Sequence, residues 1–572
     1  MPFGLKICAA WCYFYIKVAA LAAICVFSPQ LLAQTPPLLF IPDNKSVDTE
    51  NPQRPVSAIQ ASLQYHLITG RLPQLGTYLA NAPALYDFYD AKGFVHLWQP
   101  LYREHSPLRE LIAYLQQVHL HGLLASDYHL RLLRDRCLIP AQHLVAECDV
   151  LQTDALLTLT QHLQSGKVNP NLIFNETEVT KPLVDPVHWL NRALNASSLA
   201  DYFKQVEPDS REYQALKEYL TSLSSRAPPA WPELALMPAI KPQTSDPRLS
   251  AIAERLMFWG DLSADWTNEA PYELVYGDDL IRAVETFQLR HGLKVDGVLG
   301  KNTITTLNIP PPQRIEQLAV NLERIRWYDR KPVKRLIKVN IASYELVALV
   351  DGEVGLRAAV IVGQVNRPTP IFEDEIQYLV LNPTWVVPWK LATQDKLPLI
   401  QENPQYLLDN HFSVYLQDVK IENPTDIDWN QFSRSRFPYR LVQAPGLNNA
   451  LGQVKFMFPN THQVYLHDTP AKSLFNNELR AFSSGCVRLQ EPIELLWWLL
   501  RSDGLSDIDI KNQLHKKHTN TVYLQTSVPI RLEYRTVYLD QNHTIQFRAD
   551  IYNRDSKLYQ ALQQPAASFL LR

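Results

Sequence analysis

Val464-Tyr-Leu-His-Asp-Thr-Pro470 and Ala481-Phe-Ser-Ser-Gly-Cys-Val-Arg-Leu489 are the two stretches whose reading decides this chain. They hold an imidazole, a lone thiol and a guanidinium, with His467 and Cys486 19 positions apart. The first stretch alternates as a strand, so Tyr465 and His467 share a face. Pro470 to Asn477 reads as a crossing segment that brings a strand end to the Cys turn. Only a thiolate attacks, and a free thiol is mostly protonated at neutral pH. A neighbouring histidine can take that proton and leave an ion pair. Gly485 permits a tight approach and lets backbone N–H groups point at an oxyanion. Arg488 can grip a carboxylate with two hydrogen bonds. Each residue also has a plain reading: a core histidine, a small buried hydrophobe, a surface ion pair. Spacing alone leaves both readings open.

Outward from the site, the chain turns strand-like after Lys334. Leu336–Ile341 and Glu345–Val350 read as strands, and Asp351-Gly352 as a hairpin turn. Ala358–Gly363, Gln377–Asn382, Val454–Phe458 and Gln463–His467 continue the pattern, giving a β-rich domain over 333–535. Between strands, 389–443 is polar and interrupted by proline, with Tyr406, Phe412, Tyr415 and Trp429. Those aromatics could stack on sugar rings or fill a core.

The first half reads as helical. Leu108, Leu111, Ile112, Leu115, Val118 and Leu120 recur at helical spacing. A further helix is expected to start with a cap at Thr153 or Asp154. Proline clusters at 36–55 and 228–247 mark boundaries. Residues 248–309 form a small helical unit, with Leu280, Val284 and Phe287 on one face and a turn at Asp296-Gly297. Pro310-Pro311-Pro312 is expected to stop its last helix, and a new helix is expected over Arg314–Tyr328. The segment from Ala283 to Thr303 resembles the three-helix peptidoglycan-binding domain of wall enzymes.

Composition bounds the rest. The 572 residues allow about three or four domains. With 55 Lys+Arg against 58 Asp+Glu, a polybasic nucleic-acid binder is excluded as a first reading. Hydrophobic residues at 46% argue for real cores. Lys6 and the apolar run Val18–Phe27 read as a secretory signal, with an uncleaved membrane anchor as the alternative. Cys8, Cys12 and Cys25 fall in that leader. Cys137 and Cys148 are then close enough to bridge in an oxidising compartment, or stay as two buried thiols, and Cys486 is left single.

The His467 strand followed by Ser484-Gly485-Cys486-Val487-Arg488 resembles the catalytic motif of the L,D-transpeptidases, the YkuD domain family. Many members carry histidine where this chain has Ser484. The domain order and the Ser-Ser-Gly-Cys form resemble the large periplasmic YcbB-like subgroup. Ile361-Val-Gly363, Arg367-Pro-Thr-Pro370, Asn382-Pro-Thr-Trp-Val-Val-Pro388 and Ala444–Phe456 agree with it. The resemblance implies a multidomain α+β protein. Its parts are a leader (1–34), linker (35–55), helical scaffold (56–247), peptidoglycan-binding module (248–312), connecting helix (313–332), catalytic domain (333–535) with a mobile cap (389–443), and a C-terminal segment (536–572). It implies Cys486 as nucleophile and His467 as base, with the Asp468 carbonyl orienting the ring. Gly485 and Cys486 amides and Tyr465 are expected oxyanion donors. Arg488, Ser483, Ser484, Asn382 and Trp385 are expected at the substrate, with Arg488 either holding a substrate carboxylate or bracing the turn. The expected partners are peptidoglycan tetrapeptide stems, a carbapenem as a covalent adduct, and no nucleic acid, cofactor or metal. Location is expected to be the periplasm. A water acceptor (L,D-carboxypeptidase), another cysteine hydrolase, or a non-enzymatic wall-binding scaffold are the rival readings. In papain-like and NlpC/P60-like hydrolases the cysteine precedes the histidine, which is the reverse of the order here.

Overall fold

A computed structural model describes residues 56–98, 106–267, 274–328, 330–516 and 518–565. The predicted leader and linker, with Cys8, Cys12 and Cys25, lie outside the described residues. No described helix is long and apolar enough to cross a membrane.

The N-terminal part is a helical layer built around the long helix Val145–Ser165, most of whose residues are buried. The sequence places this helix's start at Thr153 or Asp154, and the structure corrects that by more than two turns. Both residues are buried within the helix, where their side chains serve other segments. Asp154 accepts from the amides of Ala80 (3.1 Å) and Asn81 (2.9 Å). The Thr153 hydroxyl bonds Tyr89 (2.7 Å) and accepts from the Trp98 indole (2.8 Å). A cap-like Thr-Asp pair thus satisfies polar groups brought from elsewhere by tertiary packing. Cys137 and Cys148 are joined in a disulfide, with Cα atoms 5.4 Å apart.

Three helices, Leu249–Trp259, Asp278–Arg290 and Lys301–Leu307, form the small module around Leu256, Val284, Phe287 and Ile304. The helix Arg211–Ser225 packs Tyr213, Leu216 and Leu220 into the same core. The proline triplet does more than end a helix. Pro310 caps and Pro311 opens the next one, Pro311–Arg326, where a first-turn proline has no amide bond to lose. That helix therefore begins earlier than Arg314.

Strands β2 (Arg335–Asn340), β3 (Glu345–Val350), β4 (Glu353–Gly363) and β5 (Ile371–Leu381) open the β-rich part. They join β10 (Val454–Met457), β11 (Leu466–His467), β13 (Val487–Leu489) and β14 (Asn520–Glu533). The order is β5-β10-β11-β13-β4-β3-β2-β14, and β14 pairs back onto β5, so the sheet closes on itself. Two short strands extend it: β1 (Thr177–Glu178), from the helical layer, on β5, and β12 (Ala481–Ser483) on β4. Alternate strand residues such as Val339, Leu346, Val360 and Leu379 fill the core, with Leu495, Leu496, Leu499 and Leu500 of helix Pro492–Ser502 against them.

Residues 385–451 build a second lobe with its own core. Strands β6 (Trp385–Val386), β7 (Phe412–Leu416), β8 (Val419–Lys420) and β9 (Tyr439–Gln443) form its sheet. Trp385, Phe412, Trp429 and Leu441 lie inside it.

The Pro311–Arg326 helix ties the parts together through a buried charge cluster. Glu323 accepts from the Val168 amide (2.7 Å), the Arg326 guanidinium (2.7 Å) and the Trp327 indole (3.1 Å). Arg326 also donates to the His121 carbonyl (2.8 Å) and the Tyr213 hydroxyl (3.0 Å). Both charges are fully buried. Removing one partner strands the other in a low-dielectric interior, which costs about 3–5 kcal/mol. Glu323→Ala is therefore expected to lower the thermal midpoint sharply, whereas breaking the exposed Asp279–Arg282 pair barely moves it; calorimetry on the two variants checks this.

Candidate active site

The site grows from one register. Strand β11 runs parallel to β13, with Leu466 opposite Val487 and His467 opposite Arg488. On the other side, β10 is antiparallel to β11, with Lys455 opposite His467. Side chains two apart share a face. Tyr465, His467, Cys486, Arg488 and Lys455 therefore emerge on one side of three adjacent strands. Parallel neighbours need a long crossover, and here 468–486 supplies it, with a short helical turn at Lys472–Asn476.

The Cys turn is held from several sides. Gly485 has φ +114°, a conformation closed to most side chains. The Ser483 hydroxyl donates to the Cys486 carbonyl (2.5 Å) and accepts from the Gly485 amide (3.2 Å). Thr369 donates to the Gly485 carbonyl (2.9 Å). Ser483 is buried, so the hydroxyl expected at the substrate is committed to the turn. The Gly485 amide, expected as an oxyanion donor, is likewise engaged. The Cys486 amide has no partner among the described residues. Ser484 is exposed and accepts from Arg367 (3.0 Å). Arg367 also forks onto Asp395 of the second lobe (2.7 and 2.8 Å), so one guanidinium joins that lobe to the Cys486 turn.

His467 is buried, and its Nδ1 donates to the Asp468 carbonyl (2.5 Å). A carbonyl only accepts, so Nδ1 carries the proton and Nε2 is left as a lone pair. The Asp468 carboxylate is used elsewhere: it accepts from the amides of Gln453 (2.8 Å) and Thr469 (2.7 Å) and pairs with Lys472 (2.8 Å). Gly452 makes that possible, because a Cβ there would lie 2.2 Å from Asp468 Oδ2. Burial, with Arg488 and Lys455 adding repulsion, pushes the imidazole down to about 3.

Cys486 is half-buried. Its sulfur approaches the Gln463 carbonyl (3.9 Å), and the Tyr465 amide and hydroxyl are near enough to favour its thiolate. Burial pushes its thiol above the ordinary value, against the pull of Tyr465, Lys455 and Arg488. Thiol and imidazole are thus both neutral at rest. They lie diagonally across adjacent strands, with no hydrogen bond between them in this state. Arg488 is half-buried, and its Nε has no hydrogen-bond partner.

Two expected substrate residues stand apart from this group. Trp385 is packed in the core of the second lobe, near Phe412. The Asn382 side chain donates to the Lys516 carbonyl (2.5 Å). Sequence reading missed Lys455, Arg367 and Thr369. Their motifs were visible, but the pairing of β10 with β11 and the approach of the 364–370 loop to Gly485 are tertiary facts. Two cavities of about 510 and 540 Å³ lie by the small module, lined by residues such as His291, Thr305 and Arg548, and neither touches Cys486.

Residues 334–523 match the family described as "L,D-transpeptidase catalytic domain", 245–307 a "Putative peptidoglycan binding domain", and 83–220 a "Scaffold domain". A Haemophilus influenzae protein named "Putative L,D-transpeptidase" is 33% identical over 286 residues, spanning 49% of this chain and 58% of that protein's own length. Among solved structures, an L,D-transpeptidase from Mycobacterium smegmatis is 15% identical, covering 35% of this chain and 58% of its own, with a TM-score of 0.18. One from Stackebrandtia nassauensis is 14% identical, covering 52% and 96%, with a TM-score of 0.20. Superpositions at these scores decide nothing about the fold. The sequence match does decide the family: residues 334–523 of this chain belong to the YkuD L,D-transpeptidase catalytic domains, and a peptidoglycan-binding domain precedes them in the same chain.

Proposed function

We propose that the protein is a peptidoglycan L,D-transpeptidase that forms 3→3 cross-links through a thioester on Cys486. The arrangement that carries this reading is the shared face of Tyr465, His467, Cys486 and Arg488 across β11 and β13. In a non-enzymatic scaffold built only to bind wall polymer, nothing requires a neutral imidazole with a free Nε2 near a lone thiol and a guanidinium with no acid partner among the described residues.

The donor is a tetrapeptide stem. His467 Nε2 takes the thiol proton as Cys486 sulfur bonds to the carbonyl carbon of the third residue, meso-diaminopimelate. Such bonds are often long in a free enzyme and close when substrate binds. The Cys486 amide and, once the sulfur is acylated, the Tyr465 hydroxyl are the donors for the oxyanion. The C–N bond to D-alanine breaks, and the imidazolium returns its proton to the departing amine. An acceptor amine from a second stem then attacks the thioester. The C–S bond breaks, and the amine's proton passes through His467 back to sulfur. Arg488, with no carboxylate of its own, holds a carboxylate of the stem. The second lobe, tied to Ser484 through Arg367 and Asp395, is the cap over the donor. This chemistry belongs outside the cytoplasm, in the periplasm, and a carbapenem would acylate the same thiol.

Purified protein incubated with disaccharide tetrapeptide should give cross-linked dimer by liquid chromatography and mass spectrometry, and Cys486→Ala should give none. Tripeptide without dimer would mean a carboxypeptidase, and no turnover would sink the enzyme reading. Arg488→Gln should raise the KM for the tetrapeptide by about 10- to 100-fold, the worth of a charged hydrogen bond at about 1.5–3 kcal/mol, with a smaller loss in kcat. The raised thiol and lowered imidazole also fix a sign. The thiolate fraction grows only as pH climbs through the alkaline range. Iodoacetamide should label Cys486 ever faster from pH 6 to 9. A rate already level at pH 5 would mean a resting thiolate–imidazolium pair.

A further inference from the structure

We propose that Lys455 is a positioning residue for the nucleophile: from β10 it seats its ammonium on the Tyr465 ring, keeps that phenol on the Cys486 sulfur, and lends positive charge to the thiolate. This rests on the reading of Cys486 as nucleophile.

Three observations carry it. The register sets Lys455 directly opposite His467, so its side chain leaves the sheet on the site's face. Its Nζ lies 3.9 Å from the centroid of the Tyr465 ring, well inside the range of a cation–π contact. No carboxylate among the described residues pairs with it, although burial withdraws it from water. Buried Lys167 is matched by Asp127 (2.6 Å), half-buried Lys181 donates to the Gly166 (2.7 Å) and Val168 (3.2 Å) carbonyls, and half-buried Lys396 donates to the Tyr406 hydroxyl (2.8 Å); Lys455 has no such partner among the described residues. A desolvated ammonium without a counter-ion is costly. Its placement makes sense beside a group that becomes an anion during the reaction.

The surroundings of the sulfur fit this role. The charged or titratable groups facing it are Lys455 from β10, Tyr465 and His467 from the β11 segment, and Arg488 from β13. On the turn side Arg367 is neutralised by Asp395. Among the described residues, the groups that act most on the thiol include no carboxylate. When the S–H bond breaks, the electron pair stays on sulfur and the proton goes to Nε2. Lys455 and Arg488 flank His467 in one row across the sheet. They favour the thiolate and oppose the imidazolium, which drives the proton on to the leaving amine.

The test is the pH profile of iodoacetamide labelling at Cys486 in the full chain, with no wall substrate present. A neighbouring charge shifts a pKa by about one unit or more. Lys455→Met should move the labelling midpoint up by about one pH unit, a roughly tenfold slower reaction below the midpoint. Lys455→Arg, which keeps the charge, should restore the wild-type midpoint. Overlapping profiles for wild type and Lys455→Met would overturn the proposal, as would an equal shift in Lys455→Arg, which would mean a packing role only. Should Lys455→Met fail to fold, Lys455→Gln with thiolate absorbance at about 240 nm carries the same comparison. An unmoved profile alongside cross-linked product would remove this role and leave the transpeptidase reading standing. A shifted profile with no product would do the reverse.

Discussion

The parallel pairing of β11 with β13 is the constraint on which the site depends. It opposes His467 to Arg488, and Tyr465 and Cys486, each two residues back from one of them, fall on the same face. A slip of one residue would turn every one of these side chains to the other face of the sheet. The register is held by apolar neighbours that are fully buried, Leu466 and Val487, and by the amide of Val487 on the Tyr465 carbonyl (3.1 Å). Hydrophobic packing of the in-between residues thus fixes the chemistry of the others.

Around that register the protein places cations and removes acids. Asp468 has its carboxylate turned away and saturated by two amides and Lys472. Its carbonyl alone serves the imidazole. The result is a neutral base and a neutral thiol between Lys455 and Arg488, in a setting that favours negative charge once it forms. Ser483 and Thr369 commit their hydroxyls to the Gly485 turn, so the thiol proposed as nucleophile is held in place by groups already bonded within the turn.

Much of this was legible in the sequence, and the exceptions have physical causes. Alternation alone puts Tyr465 with His467 and Cys486 with Arg488, because both pairs are two residues apart. The bridge between Cys137 and Cys148 was one of two readings of a close cysteine pair, and the fold takes it. What alternation cannot give is which strands lie side by side, and so the expected strand Val454–Phe458 gave no sign that Lys455 would stand opposite His467. Local signals also misled where tertiary demands took over. Thr153 and Asp154 look like a helix cap, yet they satisfy the backbone and side chains of other segments. Ser483 looks available, yet the turn consumes it. Trp385 and Phe412, aromatic and near a motif, fill the core of the second lobe.

The central claim is that Cys486 forms a covalent bond to the donor stem. The most direct measurement is intact-protein and peptide mass spectrometry after acid quench of the enzyme with a tetrapeptide donor. The account predicts an adduct equal to the donor less one D-alanine, mapped to the peptide that contains Cys486. An adduct on another residue, or unmodified Cys486 while product accumulates, would contradict it.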